Sequence, residues 1–126
     1  MSLRPVAEGL AKISGKDVMF ANDCIGDQAG EVIDACPPGG FVMLENLRFH
    51  AGEEKNDRAF AHALAANGDA FVSDAFSVAH RAHASVDALP RLMPAAAGRS
   101  FAAELTALNA ALAAPRNTST SLTAFR

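Results

Sequence analysis

The sequence predicts an α/β domain built around a mostly parallel sheet. Short apolar runs at residues 18–20, 41–44 and 70–72 have the length of strands and are too brief for helices. Helical periodicities lie before, between and after them, which gives the order helix, strand, helix, strand, helix, strand, helix. This alternation is typical of parallel strands joined by crossover helices. The chain of 126 residues is long enough for one such domain.

The first part of the chain supports two helices and two strands. Pro5 suits the first turn of a helix, and Gly15 suits its end. The strand at 17–21 is followed by a second helix that begins near Gly26, and the turn at 37–40 leads into the strand at 41–44. One apolar stripe marks the first helix at Val6, Leu10 and Ile13, and apolar positions mark the second at Ile25, Ala29, Val32, Ile33 and Cys36.

Two loops and two further helices follow. Residues 45–57, here called the Arg48 loop, are polar, and Asp57 is placed to cap the next helix. The strand at 70–72 leads into residues 73–85, the Arg81 loop, where Ser85 is placed to cap a short helix through Leu89. Pro115 ends the last helix. The apolar positions of the two longer helices are Phe60, Ala61, Leu64 and Ala65, and then Leu105, Leu108 and Leu112.

Composition excludes some classes of partner. A net charge of -3 argues against nucleic acid as the main partner. No apolar run approaches about 18 residues and no charged leader precedes a short apolar run, so we expect neither a membrane span nor secretion. Cys24 and Cys36 lack the CxxC spacing and are expected to be reduced in a cytoplasmic protein. All eight aromatic residues are Phe, which predicts a core with few large side chains.

Charge is distributed unevenly along the chain. Residues 1–74 hold 12 acidic and 6 basic side chains, whereas residues 75–126 hold 2 acidic and 5 basic ones. Arg48 follows the second strand, and His80, Arg81 and His83 follow the third. The carboxyl ends of parallel strands meet at one edge, so both loops are expected to face one cleft. Arginine there suits a phosphate or carboxylate.

Each candidate residue also has a plainer interpretation. Arg48 could pair with Glu45 or Glu53 at the surface, and His80 and His83 could be loop histidines that bond to backbone. The two histidines would permit a metal site only with Asp74, and the usual third ligand is missing, so no metal is predicted. Further expectations concern residues outside this cluster: solvent-facing His50 and His62, cap or loop acceptors at Asp23 and Asp74, and a solvated turn at Gly52, Glu53 and Glu54.

Several long motifs in order resemble the phosphoglycerate kinase family. They are Leu-Glu-Asn-Leu-Arg-Phe-His at 44–50, Gly-Glu-Glu-Lys-Asn-Asp at 52–57, Ser-Asp-Ala-Phe at 73–76 and Ala-His-Arg-Ala-His-Ala-Ser at 79–85. The resemblance extends over residues 3–115. It implies that Arg48 and Arg81 bind the triose substrate, and that His80 and His83 form a basic patch beside it. It also implies a last short strand within 93–98.

The resemblance further implies a partial fold. Members of the family are several-fold longer, and residues 1–115 resemble part of their amino-terminal domain, a three-layer lobe. Its first two strands, which lie at the middle of a six-stranded sheet, would precede this chain. The strands near Val18 and Val42 are then expected on one side of the gap, and those near Phe71 and Ala96 on the other. We expect the chain alone either to pair the strands at Val42 and Phe71 or to self-associate through exposed strand edges.

The family's reaction sets the expected ligands. It transfers a phosphoryl group between 1,3-bisphosphoglycerate and ADP, giving 3-phosphoglycerate and ATP in glycolysis. The magnesium nucleotide, Mg-ATP or Mg-ADP, binds a second lobe that this chain is not expected to contain, and Gly39-Gly40 lacks the Lys and Ser/Thr of a phosphate-binding loop. We therefore expect no catalytic or cofactor-binding residue here and no turnover by the chain alone. Alternatives are a weak 3-phosphoglycerate-binding module or a structural remnant of a split kinase. Residues 116–126 are expected to be a disordered tail.

Overall fold

A computed structural model of the protein describes residues 1–113. Helix α1 (Arg4–Ser14) begins with proline in its first turn and ends at Gly15, whose φ of 65° is a left-handed conformation that favours glycine. It leads to strand β1 (Val18–Ala21), helix α2 (Asp27–Asp34) and strand β2 (Phe41–Leu44). These elements confirm the predicted order in this part of the chain. The expected tail at 116–126 and the helix end at Pro115 lie outside the described residues.

The Arg48 loop is more ordered than its polar sequence predicts. It contains a 3₁₀ turn (Leu47–Phe49) and a short helix, α3 (Ala51–Glu54). A Cβ on Gly52 would lie 2.8 Å from the Cβ of Phe60, so glycine permits α3 to pack closely against the next helix. That helix is α4 (Arg58–Ala65), and the Asp57 carboxylate accepts the Phe60 N–H at 2.8 Å, which confirms the predicted cap.

The second part of the chain contains two very short strands. Strand β3 (Phe71–Ser73) leads into the Arg81 loop, then a π-helical turn (Ala84–Ala88) and a 3₁₀ turn (Leu89–Arg91). Strand β4 (Ala95–Ala97) and helix α5 (Arg99–Ala113) follow, so the strand expected within 93–98 is present. The cap predicted at Ser85 is wrong: the residue before the turn is His83, and the Ser85 hydroxyl is directed to Glu53 instead.

The strands form two separate parallel pairs in the described part of the chain. β1 pairs with β2, Val18 opposite Phe41, and β3 pairs with β4, Phe71 opposite Ala95. This agrees with the expected division of the strands between two sides. Of the two alternatives expected for the chain alone, closure between the Val42 and Phe71 strands is not seen, since no ladder joins β2 to β3 within residues 1–113. Strands of three or four residues gain little from a single pairing.

The core lies beneath the loops rather than along the strands. Its buried members are mostly small, as the composition predicts: Cys24, Phe60, Ala61, Leu64, Ala84, Ala88 and Leu89. The apolar stripes predicted for the first and last helices do form helical faces, yet both are exposed in large part. Helix periodicity shows which side of a helix is apolar but not whether another element covers it. Among residues 1–113, no helix combines the length and apolarity needed to cross a membrane.

Candidate functional site

The Arg48 and Arg81 loops share one hollow. Its volume is about 280 Å³, and its walls include Arg48 and Glu53 from one loop and Val78 and His83 from the other. Both loops follow the carboxyl ends of strands, β2 and β3, which is the edge where open parallel sheets collect ligands. Apolar lining predominates, and a less polar wall strengthens the attraction between a cation and an anionic ligand.

The position of Arg48 is fixed by its own loop. The Asn46 side-chain oxygen accepts the Arg48 N–H at 3.1 Å and starts the 3₁₀ turn, while the Asn46 amide donates to the Met1 carbonyl at 3.2 Å. The two acids considered as surface partners for this arginine accept hydrogen bonds from other residues. Glu45 accepts hydrogen bonds from the Ser2 hydroxyl and the Leu3 N–H, and Glu53 accepts from Ser85. The exposed Arg48 side chain therefore remains available to an anion at the hollow.

The Arg81 loop contributes its histidine and arginine differently. His83 is half-buried and lines the hollow opposite Arg48. The Arg81 N–H donates to the Val78 carbonyl at 2.9 Å in a turn whose Val78 side lines the hollow, but the exposed Arg81 side chain is not part of that lining. His80 is exposed as well. The structure thus brings together Arg48 and His83, whereas His80 and Arg81 are exposed and do not line the hollow.

Glu53 is the residue that the sequence analysis missed. It was expected in a solvated turn, yet the residue is only 3% exposed. Its carboxylate accepts the Ser85 N–H at 3.0 Å and the Ser85 hydroxyl at 2.5 Å, and lies 3.7 Å from His83 Nδ1. Glu54, next to it, is exposed as predicted. No local pattern distinguishes the two acids, because the burial of Glu53 depends on a partner 32 positions further along the chain.

A second polar cluster joins β1 to the Arg48 loop. His50 donates from Nε2 to Asp23 Oδ1 at 2.7 Å and stacks on Phe60, so the expectation of a solvent-facing His50 is wrong. Asp23 also accepts the Cys24 N–H at 2.6 Å, in keeping with its predicted role as a loop acceptor. The hydrogen bond from His50 lowers the pKa of the Asp23 carboxyl, with a smaller contribution from the Cys24 backbone. The cluster therefore holds an ionised carboxylate between two donors.

The same cluster is the group within residues 1–113 whose side chains could converge on a metal ion. One ligand atom each from Asp23, Cys24 and His50 lie within 4.8 Å of one another. Metal binding by cysteine requires the thiolate. Burial, followed by the negative charge of Asp23, raises the pKa of the Cys24 thiol to about 12, so the thiol is protonated when no metal is bound. With its hydrogen bonds already made, the cluster is better explained as a structural join between β1 and the loop.

Asp74 supports the opposite side of the site. Its carboxylate accepts the Phe101 N–H at 2.9 Å, so it caps the beginning of α5 as the sequence suggested. Phe101 in turn packs edge-on against Phe76 of the Arg81 loop, with ring centroids 5.3 Å apart. The helix after β4 is therefore attached directly to the loop that carries Arg81.

The chain is an α/β protein in which two arginine-bearing loops follow parallel strands and share one hollow, the edge where ligands collect in open parallel sheets. A family model described as phosphoglycerate kinase matches residues 1–123. The phosphoglycerate kinase of Caulobacter vibrioides is 58% identical over 116 residues, which cover 92% of this chain and 29% of that protein. The chain belongs to the phosphoglycerate kinase family, and it spans under a third of the length of this relative.

Solved structures agree with that assignment. The phosphoglycerate kinase of Pyrococcus horikoshii superposes with a TM-score of 0.81 at 30% identity, covering 88% of this chain and 29% of the other. That of Coxiella burnetii superposes with a TM-score of 0.78 at 36% identity, covering 93% of this chain and 28% of the other. The two strand pairs and the two loops are therefore arranged as in a part of those larger proteins.

Proposed function

We propose that this chain forms the part of a phosphoglycerate kinase that holds the phosphorylated three-carbon substrate, 3-phosphoglycerate or 1,3-bisphosphoglycerate. The observation that carries the proposal is the hollow shared by the Arg48 and Arg81 loops, in a chain of this family. Arg48 supplies a permanent charge at the hollow, and the exposed Arg81 side chain of the neighbouring loop is expected to reach the same ligand. His80 and His83 add positive potential when protonated. The location proposed for the protein is the cytoplasm.

Two arginines on loops are expected to bind weakly. An arginine can hold a phosphate oxygen pair with parallel hydrogen bonds, but ordering two exposed side chains costs conformational entropy. The proposed module therefore recognises charge and size more than the details of the sugar acid. Simple phosphate is expected to compete with 3-phosphoglycerate at higher concentration.

Titration with 3-phosphoglycerate followed by amide NMR tests this function. Arg48→Ala and Arg81→Ala are each expected to weaken binding by about tenfold, the usual consequence of losing one charge-assisted contact. Arg58→Ala is the matched control, because Arg58 is an exposed arginine on α4 that does not line the hollow. Equal binding by all three variants, or no binding by the wild-type chain, would reject the site.

We also propose that residues 1–126 alone do not catalyse phosphoryl transfer. Such transfer depends on positioning both reactants and on neutralising the moving charge. The magnesium nucleotide is the second reactant, and we place it on a second lobe. The residues around the described hollow provide cationic side chains for one anionic ligand. A coupled assay for ATP formation from 1,3-bisphosphoglycerate is expected to give the same rate with the protein as with buffer alone. A rate that scales with protein concentration and disappears in Arg48→Ala would contradict this.

The separation of the strands favours a second candidate, a structural role in which another chain completes the sheet. Neither β2 nor β3 has a second neighbouring strand within residues 1–113, and Val72 on β3 is exposed. Open strand edges recruit other strands. Size-exclusion chromatography with light scattering is expected to show self-association that increases with concentration. A monomer at every concentration would remove this candidate and leave the binding proposal unaffected.

A further inference from the structure

Glu53 connects the two loops that form the hollow. It lies in α3, within the Arg48 loop, and its carboxylate accepts both hydrogen bonds that Ser85 offers at the end of the Arg81 loop. His83 of that loop lies 3.7 Å away. A buried carboxylate is retained only when its oxygens find donors, so these contacts explain how an acid at 3% exposure is tolerated.

The connection matters because the backbone provides none nearby. β2 and β3 carry the two loops at their ends, and no strand ladder joins them in the part of the chain that the structure describes. The spacing of the loops therefore depends on side-chain contacts that cross between them. The Asn56 amide also donates to Asp87 at 2.8 Å, but Asp87 lies beyond the Arg81 loop and neither residue lines the hollow.

We propose that Glu53 is a positioning residue that fixes the Arg81 loop against the Arg48 loop, so that Arg48 and Arg81 reach one anion. The proposal rests on the function proposed above for the two arginines. According to this proposal, an acidic side chain in the wall of an anion-binding site strengthens the binding of the anion. A negative charge that acted only through its electric field would weaken binding, because it would repel the anion and attract the arginine side chains.

The sign of the change in affinity distinguishes the two roles. Glu53→Gln preserves the shape of the side chain but replaces a carboxylate that accepts two hydrogen bonds with a neutral amide. Positioning predicts weaker 3-phosphoglycerate binding, by about three- to tenfold, as expected for contacts coupled through one network. If Glu53 acted only through its negative charge, Glu53→Gln would bind 3-phosphoglycerate as tightly as the wild-type chain or more tightly. Glu54→Gln removes the same charge from the exposed neighbour and is expected to leave affinity unchanged.

Ser85→Ala tests the other end of the contact without changing any charge. It removes the hydroxyl that donates to Glu53 and is expected to weaken binding in the same direction as Glu53→Gln. Leu64→Ala, in the core cluster away from the hollow, controls for lost stability when all titrations are run well below each melting temperature. Weaker binding in Leu64→Ala to the same extent, or unchanged binding in Glu53→Gln, would overturn the proposal.

Amide exchange decides the positioning role even if the wild-type chain binds no 3-phosphoglycerate, in which case the proposed function fails by itself. In Glu53→Gln the Ser85 amide is expected to exchange about tenfold faster, since a bond to a carboxylate is roughly twice as strong as one to a neutral group. The Arg81 amide, bonded to Val78 and not to Glu53, is expected to lose protection as well. Loss of protection at Ser85 alone would indicate a local contact and reject positioning.

Discussion

The middle of the molecule and its two end helices bury apolar surface very differently. The middle consists of the core cluster around Cys24, Phe60 and Leu64, together with the turn at Ala84–Ala88. α1 and α5 are regular helices, yet their apolar stripes are exposed in large part. The comparison shows that forming a helix and covering it are separate events. Both candidate loops are attached to the middle, so their geometry does not require that α1 and α5 be covered.

The two cysteines give the largest expected contrast. Cys24 lies in the middle at 0% exposure, and its pKa is raised from 9.0 to about 12, whereas Cys36 is partly exposed at the end of α2. Three pKa units correspond to about a thousandfold less thiolate near pH 8, where the thiolate is the reactive form. Alkylation of Cys24 in native Cys36→Ser is therefore expected to be at least about a thousandfold slower than in the urea-unfolded chain, as measured by mass spectrometry.

Cys24→Ser is the matched variant, in which Cys36 is expected to react at a similar rate before and after addition of urea. Native labelling of Cys24 at the unfolded rate would show that the middle is open to solvent. The comparison between a packed middle and uncovered ends would then be lost.

A pair of leucines sharpens the same contrast in stability. Leu64 is 7% exposed in the core cluster, and Leu112 is 77% exposed on α5. Leu64→Ala is expected to lower the free energy of unfolding by about 2–4 kcal/mol, from lost burial and a residual cavity. Leu112→Ala is expected to change it by less than about 0.5 kcal/mol. Urea denaturation measures both, and comparable losses would mean that α5 is covered in solution, for example by a second copy.

The sequence predicted the backbone well because its cues are local. Gly15, with its left-handed φ, marks the end of α1, and Asp57 caps α4 through its own neighbour Phe60. The parallel pairing of β1 with β2 was likewise expected from alternation of strands and helices. Each of these features is determined within a few residues or by a general rule of topology.

The side chains of the site were predicted less well because their partners are distant. Arg48 and His83 were identified, and they do line one hollow. Glu53 was assigned to solvent although it is buried against Ser85, and His50 was assigned to solvent although it bonds Asp23, 27 positions earlier. Contacts between loops depend on how α3 packs on α4, and a single sequence carries no pattern for that.

Helix caps provide a third, smaller comparison. Asp57 caps α4 in the middle, and Asp74 caps the end helix α5 through the Phe101 N–H. Asp57→Ala is expected to lower the free energy of unfolding by about 1 kcal/mol. Asp74→Ala is expected to change it by less than about 0.5 kcal/mol while the first turn of α5 exchanges its amides faster, because an uncovered helix can fray without unfolding the core. Equal losses in urea denaturation would indicate that α5 unfolds together with the middle.

The smallest expected effect is the pH dependence of the join between β1 and the Arg48 loop. The hydrogen bond from His50 is the main cause of the lowered pKa of the Asp23 carboxyl, so Asp23 binds fewer protons in the folded state than in the unfolded state near pH 3.8. A lowered folded pKa adds stability that is fully present above that value and is lost as the pH falls through the folded pKa.

The Asp23 side chain is 38% exposed, so water screens the interaction and the contribution is small. His50→Phe keeps a ring to stack on Phe60 but removes the donor, and it is expected to raise the Asp23 pKa from its lowered value towards 3.8. Carboxyl carbon NMR titration measures the shift, and urea denaturation from pH 3 to 6 is expected to show the Asp23 contribution shrinking only below about pH 4. An unchanged Asp23 titration in His50→Phe would mean that the join is not made in solution, and the Arg48 loop would then be held to the middle by α3 and its apolar contacts alone.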